Sequence, residues 1–228
     1  MKYKLLSYVI NNNTRGYGNT PKIKIKKTRD ISKGDTCNGT VITIAGHYGT
    51  HLDTPRHFFA SGLAVSDYSI ADYVFSSPCV LECKKKKGEL IVPADFAGYE
   101  AGLKKCDILL FRTGFSRLRG KNVYTADNPG ISPDCAVKLR KEYPNIRCIG
   151  IDTVSISAFS ARESGRRAHR EFLKDGGYAG KPVMIIEDMD LSGNIEGLKR
   201  VFLAPLMIEG LDGVPCMVIG EMGGQYKK

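Results

Sequence analysis

Three nearly unbroken apolar runs constrain this chain more than any other feature: Asp107 to Phe111, Ile146 to Asp152, and the stretch that opens at Pro182 and continues through Val183 to Glu187. A strand that is apolar at almost every position has no face to give to water, so such strands belong inside a sheet covered on both sides. The segments between them supply the cover. Ser132-Pro133-Asp134 is a helix start, with Ser132 as N-cap and Pro133 at the first helical position, and the helix runs to about Glu142 before Pro144. Arg162 to Lys174 has helical composition, and within it His169 shares a face with Phe172 and Leu173, which turns it inward. Strand and helix signals that interleave in this way indicate an α/β fold. With 228 residues, 42% of them hydrophobic, the chain can bury a substantial core and reads as a single domain over 1–228.

The remaining elements are shorter. Residues 3 to 10 read as a strand, followed by a polar, glycine-containing loop from Asn11 to Pro21. Thr40 to Ile44 is β-branched and alternating, which also indicates a strand. Leu63 to Val74 reads as a short helix. Pro78 to Cys83 reads as a strand, with Lys84 to Gly88 as a hairpin turn and Leu90 to Val92 as its return. Pro93-Ala94-Asp95 opens a short helix ending near Gly102. Arg200 to Ile208 and Val214 to Ile219 are strand-like, separated by Glu209-Gly210-Leu211-Asp212-Gly213.

Charge and cysteine usage narrow the function classes. Lys and Arg number 34 against 24 Asp and Glu, a surplus of ten that could recruit nucleic acid or anionic ligands. The densest clusters, Lys22 to Lys27 and Lys84 to Lys87, lack interleaved aromatics and read as solvated edges, where lysine discourages stray strand pairing. Nucleic acid is therefore not the expected partner. The seven cysteines are scattered and form no CxxC pair, which suits small buried hydrophobes in a reducing compartment rather than disulfides or a thiolate metal site. The apolar part of the N-terminal segment is too short for a signal peptide, and no window approaches the length of a membrane span. A cytoplasmic protein with no membrane partner is the expectation.

The chemistry is concentrated in Ala45 to Phe58, which holds three of the four histidines. If the strand entering this stretch continues, side chains alternate between faces and His47, Gly49, His51 and Asp53 all project to one of them. Pro55 then bends the path so that His57 can return from a turn. Two imidazoles and a carboxylate are ligands for Zn, Mn or Fe, and a site with few protein ligands keeps a position open for water. A helical course would also place His47 and His51 together, but Gly46 and Gly49 argue against it. The competing reading is three unrelated histidines, each satisfied locally.

The string HYGTHLDTPRHF resembles the signature HxGTHxDxPxHF of the cyclase-like metal-dependent hydrolases, a family that includes bacterial kynurenine formamidases and isatin hydrolases. Further segments resemble the same family: RTGF from Arg112, GIDTVS from Gly150, AHREFL from Ala168, the strand ending at Glu187 through Ser192, and the tail from Pro205 to Pro215. The resemblance implies a mixed, barrel-like β-sheet flanked by helices, and a homodimer or higher homo-oligomer. It implies one or two divalent ions, Zn or Mn: His47, His51 and Asp53 hold the first, His169 belongs to the second, and Asp53 and Glu187 can bridge both. His57 matches the acid/base residue. The family's loop tryptophan has no counterpart, since the chain contains no tryptophan, and Tyr17 stands nearest to it as a candidate aromatic wall. Phe115 either lines the pocket or packs in the core. Asp152 orients the loop or a ligand, and Ser157 stands where the family often has an aspartate.

The function implied is hydrolysis of an amide, lactam or related carbonyl in a small, aromatic substrate, with kynurenine formamidase (arylformamidase) activity as the narrower alternative. A non-catalytic metal-binding protein and a basic nucleic-acid-binding protein are the rivals from other classes. Gly114-Phe115-Ser116-Arg117-Leu118 fails the GxSxG nucleophile elbow at its last position, and no phosphate-cradling glycine loop is present.

Overall fold

The computed structural model describes residues 2–223. Its strands are β1 (Lys2–Leu5), β2 (Lys24–Arg29), β3 (Gly39–Thr43), β4 (His51–Asp53), β5 (Val74–Phe75), β6 (Pro78–Glu82) and β7 (Leu90–Ile91). They continue with β8 (Ile108–Arg112), β9 (Gly130–Ile131), β10 (Cys148–Ile151), β11 (Met184–Glu187), β12 (Leu198–Pro205) and β13 (Gly213–Met222). The helices are α1 (Glu100–Leu103), α2 (Asn122–Ala126), α3 (Pro133–Glu142) and α4 (Arg162–Leu173).

One mixed sheet carries the fold, in the order β5-β12-β13-β4-β11-β10-β8-β6, with β1 on the other edge of β13. The two ends of that path, β5 and β6, are consecutive in the chain and separated only by Ser76 and Ser77. The sheet therefore curls back on itself into a nearly closed, barrel-like form. Its parallel half is β6, β8, β10 and β11, the apolar runs of the sequence, while β4, β13, β12, β5 and β1 pair antiparallel. Leu109 and Phe111 in β8 face the helical layer, where Leu139 of α3 and Phe172 of α4 pack. Ile108 and Leu110 face the interior with Leu52, Val201, Val214 and Val218 of the antiparallel half. Full burial of each such side chain contributes about 1.5–3 kcal/mol, which is why these strands tolerate no polar alternation.

The helix caps follow from local chemistry. The Ser132 hydroxyl accepts the Cys135 amide at the start of α3, as its position before Pro133 predicts. At the far end of α4, buried Arg140 donates through Nη1 to the carbonyls of Glu171 (2.9 Å), Phe172 (2.8 Å) and Lys174 (3.0 Å). A guanidinium there satisfies orphan carbonyls and complements the negative helix end, so α3 fixes α4 and with it His169.

Several local expectations are corrected. The first strand ends at Leu5 rather than residue 10, leaving a single bridge from Ser7 to Met189. Residues 84–92 are not a hairpin: β7 leaves β6 and pairs parallel with β9, because Lys85 is drawn to Asp95 (2.7 Å) and the Gly88 amide to the Asp127 carbonyl (3.0 Å). The stretch from Leu63 to Val74 forms two 3-10 turns, not one helix, each fastened by an aspartate (Asp67, Asp72) on a preceding amide. The helix expected over 93–102 is broken into a 3-10 turn and α1 around Gly98, whose φ is +85°. Finally, β2 and β3 form a separate two-stranded hairpin in which only Gly39 is even partly buried.

Candidate metal centre and active site

The site sits at the seam where the two halves of the sheet meet. Strand β4 is flanked by β11 and β13, and its register places His51 beside Glu187 and Asp53 beside Gly213. His51 and Asp53 share a face by strand alternation, as their spacing predicts. His47 does not. The strand before it ends at Thr43, and Gly49 takes φ +66°, a left-handed conformation that breaks the extended course. His47 therefore arrives from a bend, and it comes so close to β13 that a Cβ on Gly213 would lie 2.3 Å from its Cε1. The side chains converge as the motif implies, but a turn rather than alternation brings the first one in.

Asp53 and Glu187 are the hubs. Asp53 Oδ1 lies 2.8 Å from His47 Nδ1 and 3.4 Å from His51 Nε2, while Oδ2 lies 3.7 Å from His169 Nε2. Glu187 Oε2 lies 3.4 Å from His51 Nε2 and Oε1 lies 3.2 Å from His169 Nε2. The outer nitrogens are already committed: His51 Nδ1 meets the Gly49 carbonyl at 2.8 Å and His169 Nδ1 the Gly165 carbonyl at 2.9 Å. Those carbonyls can only accept, so each Nδ1 carries the proton and each Nε2 is aimed inward. Glu187 Oε1 is held by the Ser155 hydroxyl (2.9 Å) and the Ile156 amide (2.7 Å).

Three groups of candidate ligands result among the described residues: His47-His51-Asp53, Asp53-His169-Glu187, and a more exposed one, His47-His57-Asp212. The donors are nitrogen and oxygen, the chemistry that suits Zn or Mn. Electrostatics favour a cation here. Burial works against charging His47 and His169, yet the neighbouring carboxylates outweigh it and raise both to about 10. Burial and Asp53 push Glu187 up, but His169 and His51 bring it down to about 2. The buried carboxylates thus stay anionic and draw positive charge from whatever is present, protons on the imidazoles or a metal ion that replaces them.

His57 follows Pro55 in a 3-10 turn and belongs only to the more exposed group, with His47 and Asp212. Its Nδ1 lies 2.8 Å from Asp212 Oδ2, and that oxygen also lies 2.9 Å from His47 Nε2. The His47 and His57 contacts hold Asp212 far below the usual carboxylate range. The sequence marks Asp212 only as part of the tail from Pro205 to Pro215 that resembles the family, and nothing in that loop pairs it with His47 and His57.

Tyr17 lines the pocket, with its ring edge-on to Phe159 at 5.8 Å, and Phe58 lines it beside His57. Phe115 is corrected to a core residue: it is buried, stacks on Tyr124 at 6.1 Å and is absent from the pocket wall, because its strand end turns it into a small cluster with Val154 behind Tyr17. Asp152 accepts the Thr113 and Gly114 amides at 2.9 Å each and so fixes the loop after β8. Ser157 faces His169 Nδ1 at 3.4 Å. Asp188, the residue after the hub Glu187, has φ +52° and is clamped by Arg119 through two hydrogen bonds of 2.9 and 2.7 Å. That reversal lets neighbouring carboxylates face opposite ways, Glu187 into the pocket and Asp188 into its support.

Comparison with known proteins adds the following. The family described as putative cyclase matches residues 5–158. Cyclase-like protein 1 of Arabidopsis thaliana is 26% identical over 205 residues, 87% of this chain and 76% of the relative. A kynurenine formamidase of Polaromonas naphthalenivorans is 27% identical over 190 residues, 83% and 77% of the two chains. Among solved structures, isatin hydrolase A from Labrenzia aggregata superposes with a TM-score of 0.80 at 20% identity, covering 97% of this chain and 93% of that one. That last likeness is one of fold.

Proposed function

This chain belongs to the cyclase family, and on that premise we propose that it is a metal-dependent hydrolase opening the carbonyl of a small amide or lactam. One observation carries the reading: His47, His51, Asp53, His169 and Glu187 meet on the wall of a single pocket of about 370 Å³ that also exposes His57. A divalent ion held there, Zn or Mn, supplies the Lewis acidity that lets water ionise near neutral pH and polarises a carbonyl oxygen.

The chain's own groups account for the rest. Asp212 engages His57 Nδ1, which leaves Nε2 free to carry a proton between the attacking water and the leaving nitrogen. The tie to His47 through the same Asp212 oxygen keeps the acid/base residue registered to the metal group. Tyr17 and Phe58 offer aromatic surface for a ring. The names of relatives such as the Polaromonas enzyme point to an N-formyl aromatic amine as one substrate to try, with Tyr17 taking the part of an aromatic wall in a chain without tryptophan.

The test is elemental analysis of purified protein combined with hydrolysis of N-formylkynurenine, isatin and simple lactones. The reading requires bound Zn or Mn and metal-dependent turnover of at least one carbonyl substrate. Metal without any turnover would favour a binding protein, and metal-free protein that binds nucleic acid in a salt-sensitive way would favour the basic-surface alternative.

A further inference from the structure

The pocket is polarised in a way that metal binding does not require. Its floor holds Asp53 and Glu187, while its lining also includes three arginines, Arg15, Arg162 and Arg166, and no other acidic residue. Two of the arginines share one face of α4 with His169, at seven and three residues before it. With a rise of about 1.5 Å per residue, Arg166 stands roughly 4.5 Å and Arg162 roughly 10 Å along the axis from the metal-ligating histidine. The helix is thus a ruler from the floor to the mouth.

Helix stability does not explain Arg162. Cations in the first turns of a helix oppose its dipole, and Arg162 opens α4. Arg162 stacks over Phe159 at 3.9 Å, and the same ring meets Tyr17 edge-on. Among the described residues Arg166 pairs only with exposed Glu163, one helical turn before it, at 3.0 Å. The Tyr17 hydroxyl is shielded from water and makes no well-formed hydrogen bond. Burial raises the Tyr17 phenol above its usual value while Arg162 and Arg166 pull against it, so both guanidinium groups are within electrostatic reach of the pocket wall.

We propose that Arg162 and Arg166, with Arg15, form an anion subsite at the pocket mouth, and that the substrate is a small amide carrying a carboxylate about one aromatic ring away from the bond that is cut. The ring lies between Tyr17 and Phe58, the carbonyl reaches the floor, and the carboxylate takes the planar donors of the arginines. This assignment of substrate class rests on the hydrolase reading above; the subsite itself does not.

A matched pair separates the two. 4-Acetamidobenzoate and 4-acetamidobenzamide have the same ring and amide and differ only in carrying a carboxylate or a neutral carboxamide. Calorimetric titration of the metal-loaded protein should give a carboxylate Kd about tenfold lower, a modest gain because the arginines are exposed and screened. In the Arg162→Ala/Arg166→Ala double variant that advantage should fall below about twofold with the carboxamide Kd unchanged, and Arg162→Lys/Arg166→Lys should keep part of it. Equal affinities in the wild type, no measurable carboxylate binding, or an advantage that survives the double variant and so belongs to the metal, would each overturn the subsite. Turnover of both compounds is followed separately: an arginine-dependent affinity difference without hydrolysis removes the hydrolase reading and leaves the subsite, and hydrolysis without that difference does the reverse.

Discussion

The floor and the mouth of the pocket are built by opposite rules. At the floor, His51, Asp53, His169 and Glu187 are all buried, and each is held by at least two other groups on strands or a helix that also serve the core. At the mouth, Arg15, Arg162 and Arg166 are exposed, and Tyr17 belongs to a loop. A buried charge costs too much to leave unpaired, so the floor must be complete for the fold to tolerate it. The mouth carries no such penalty. It can be changed without unfolding anything, so on the proposed reading chemistry belongs to one and substrate choice to the other.

The largest break of that contrast is His51→Ala. It removes a first ligand and leaves Asp53 and Glu187 facing each other without the imidazole between them, so metal content should fall to background, turnover should vanish, and stability should drop by about 3–5 kcal/mol in denaturant unfolding. Full metal content in this variant would remove His51 from the ligand set. His57→Ala comes next: metal content unchanged on elemental analysis, kcat lower by about a hundred- to ten-thousand-fold. If it is metal-free instead, His57 is a ligand and the proton-transfer role is wrong. Asp212→Asn should reduce kcat by about ten- to a hundredfold with the fold intact, the usual loss when a group that orients another is blunted; wild-type rates would make Asp212 a bystander. At the mouth, Tyr17→Ala should raise KM several-fold, metal content standing still. Smallest of all, Phe115→Leu should leave KM and kcat alone and cost on the order of 1 kcal/mol of stability. A KM change there would return Phe115 to the pocket wall.

The same contrast explains what could be read in the sequence. The floor was legible because its residues must be of a few types: histidines and carboxylates set in apolar strands are rare, and His47, His51, Asp53, His169 and Glu187 meet as the motif and the resemblance imply. The reason offered for His47 was nevertheless wrong, since Gly49 turns the chain where alternation would have carried it straight. Asp212 was missed because its partners, His47 and His57, lie more than 150 residues away and no local pattern encodes such a pairing. The parallel strands were visible as continuous apolar runs, whereas β7 was assigned to the wrong neighbour because pairing is decided by contacts such as Lys85 with Asp95 and not by the turn alone. Likewise the closure of the sheet through Ser76 and Ser77 depends on Asp107, whose carboxylate receives both of their amides.

The hairpin of β2 and β3 has a different kind of consequence. An antiparallel pair with almost nothing buried is at the margin of stability in water, so its amides should exchange through local opening while those of β8, β10 and β11 wait for global unfolding. It is also the strip with the lysines and arginine of Lys24–Arg29, so trypsin given the native protein should nick it before any strand of the barrel. A cut there severs no ligand from its partners, since His47 through Asp212 all lie on one side of it. That leaves the hairpin as the part of this chain that can be clipped, lengthened or rewritten while the strands that carry His51, Asp53 and Glu187 stay closed.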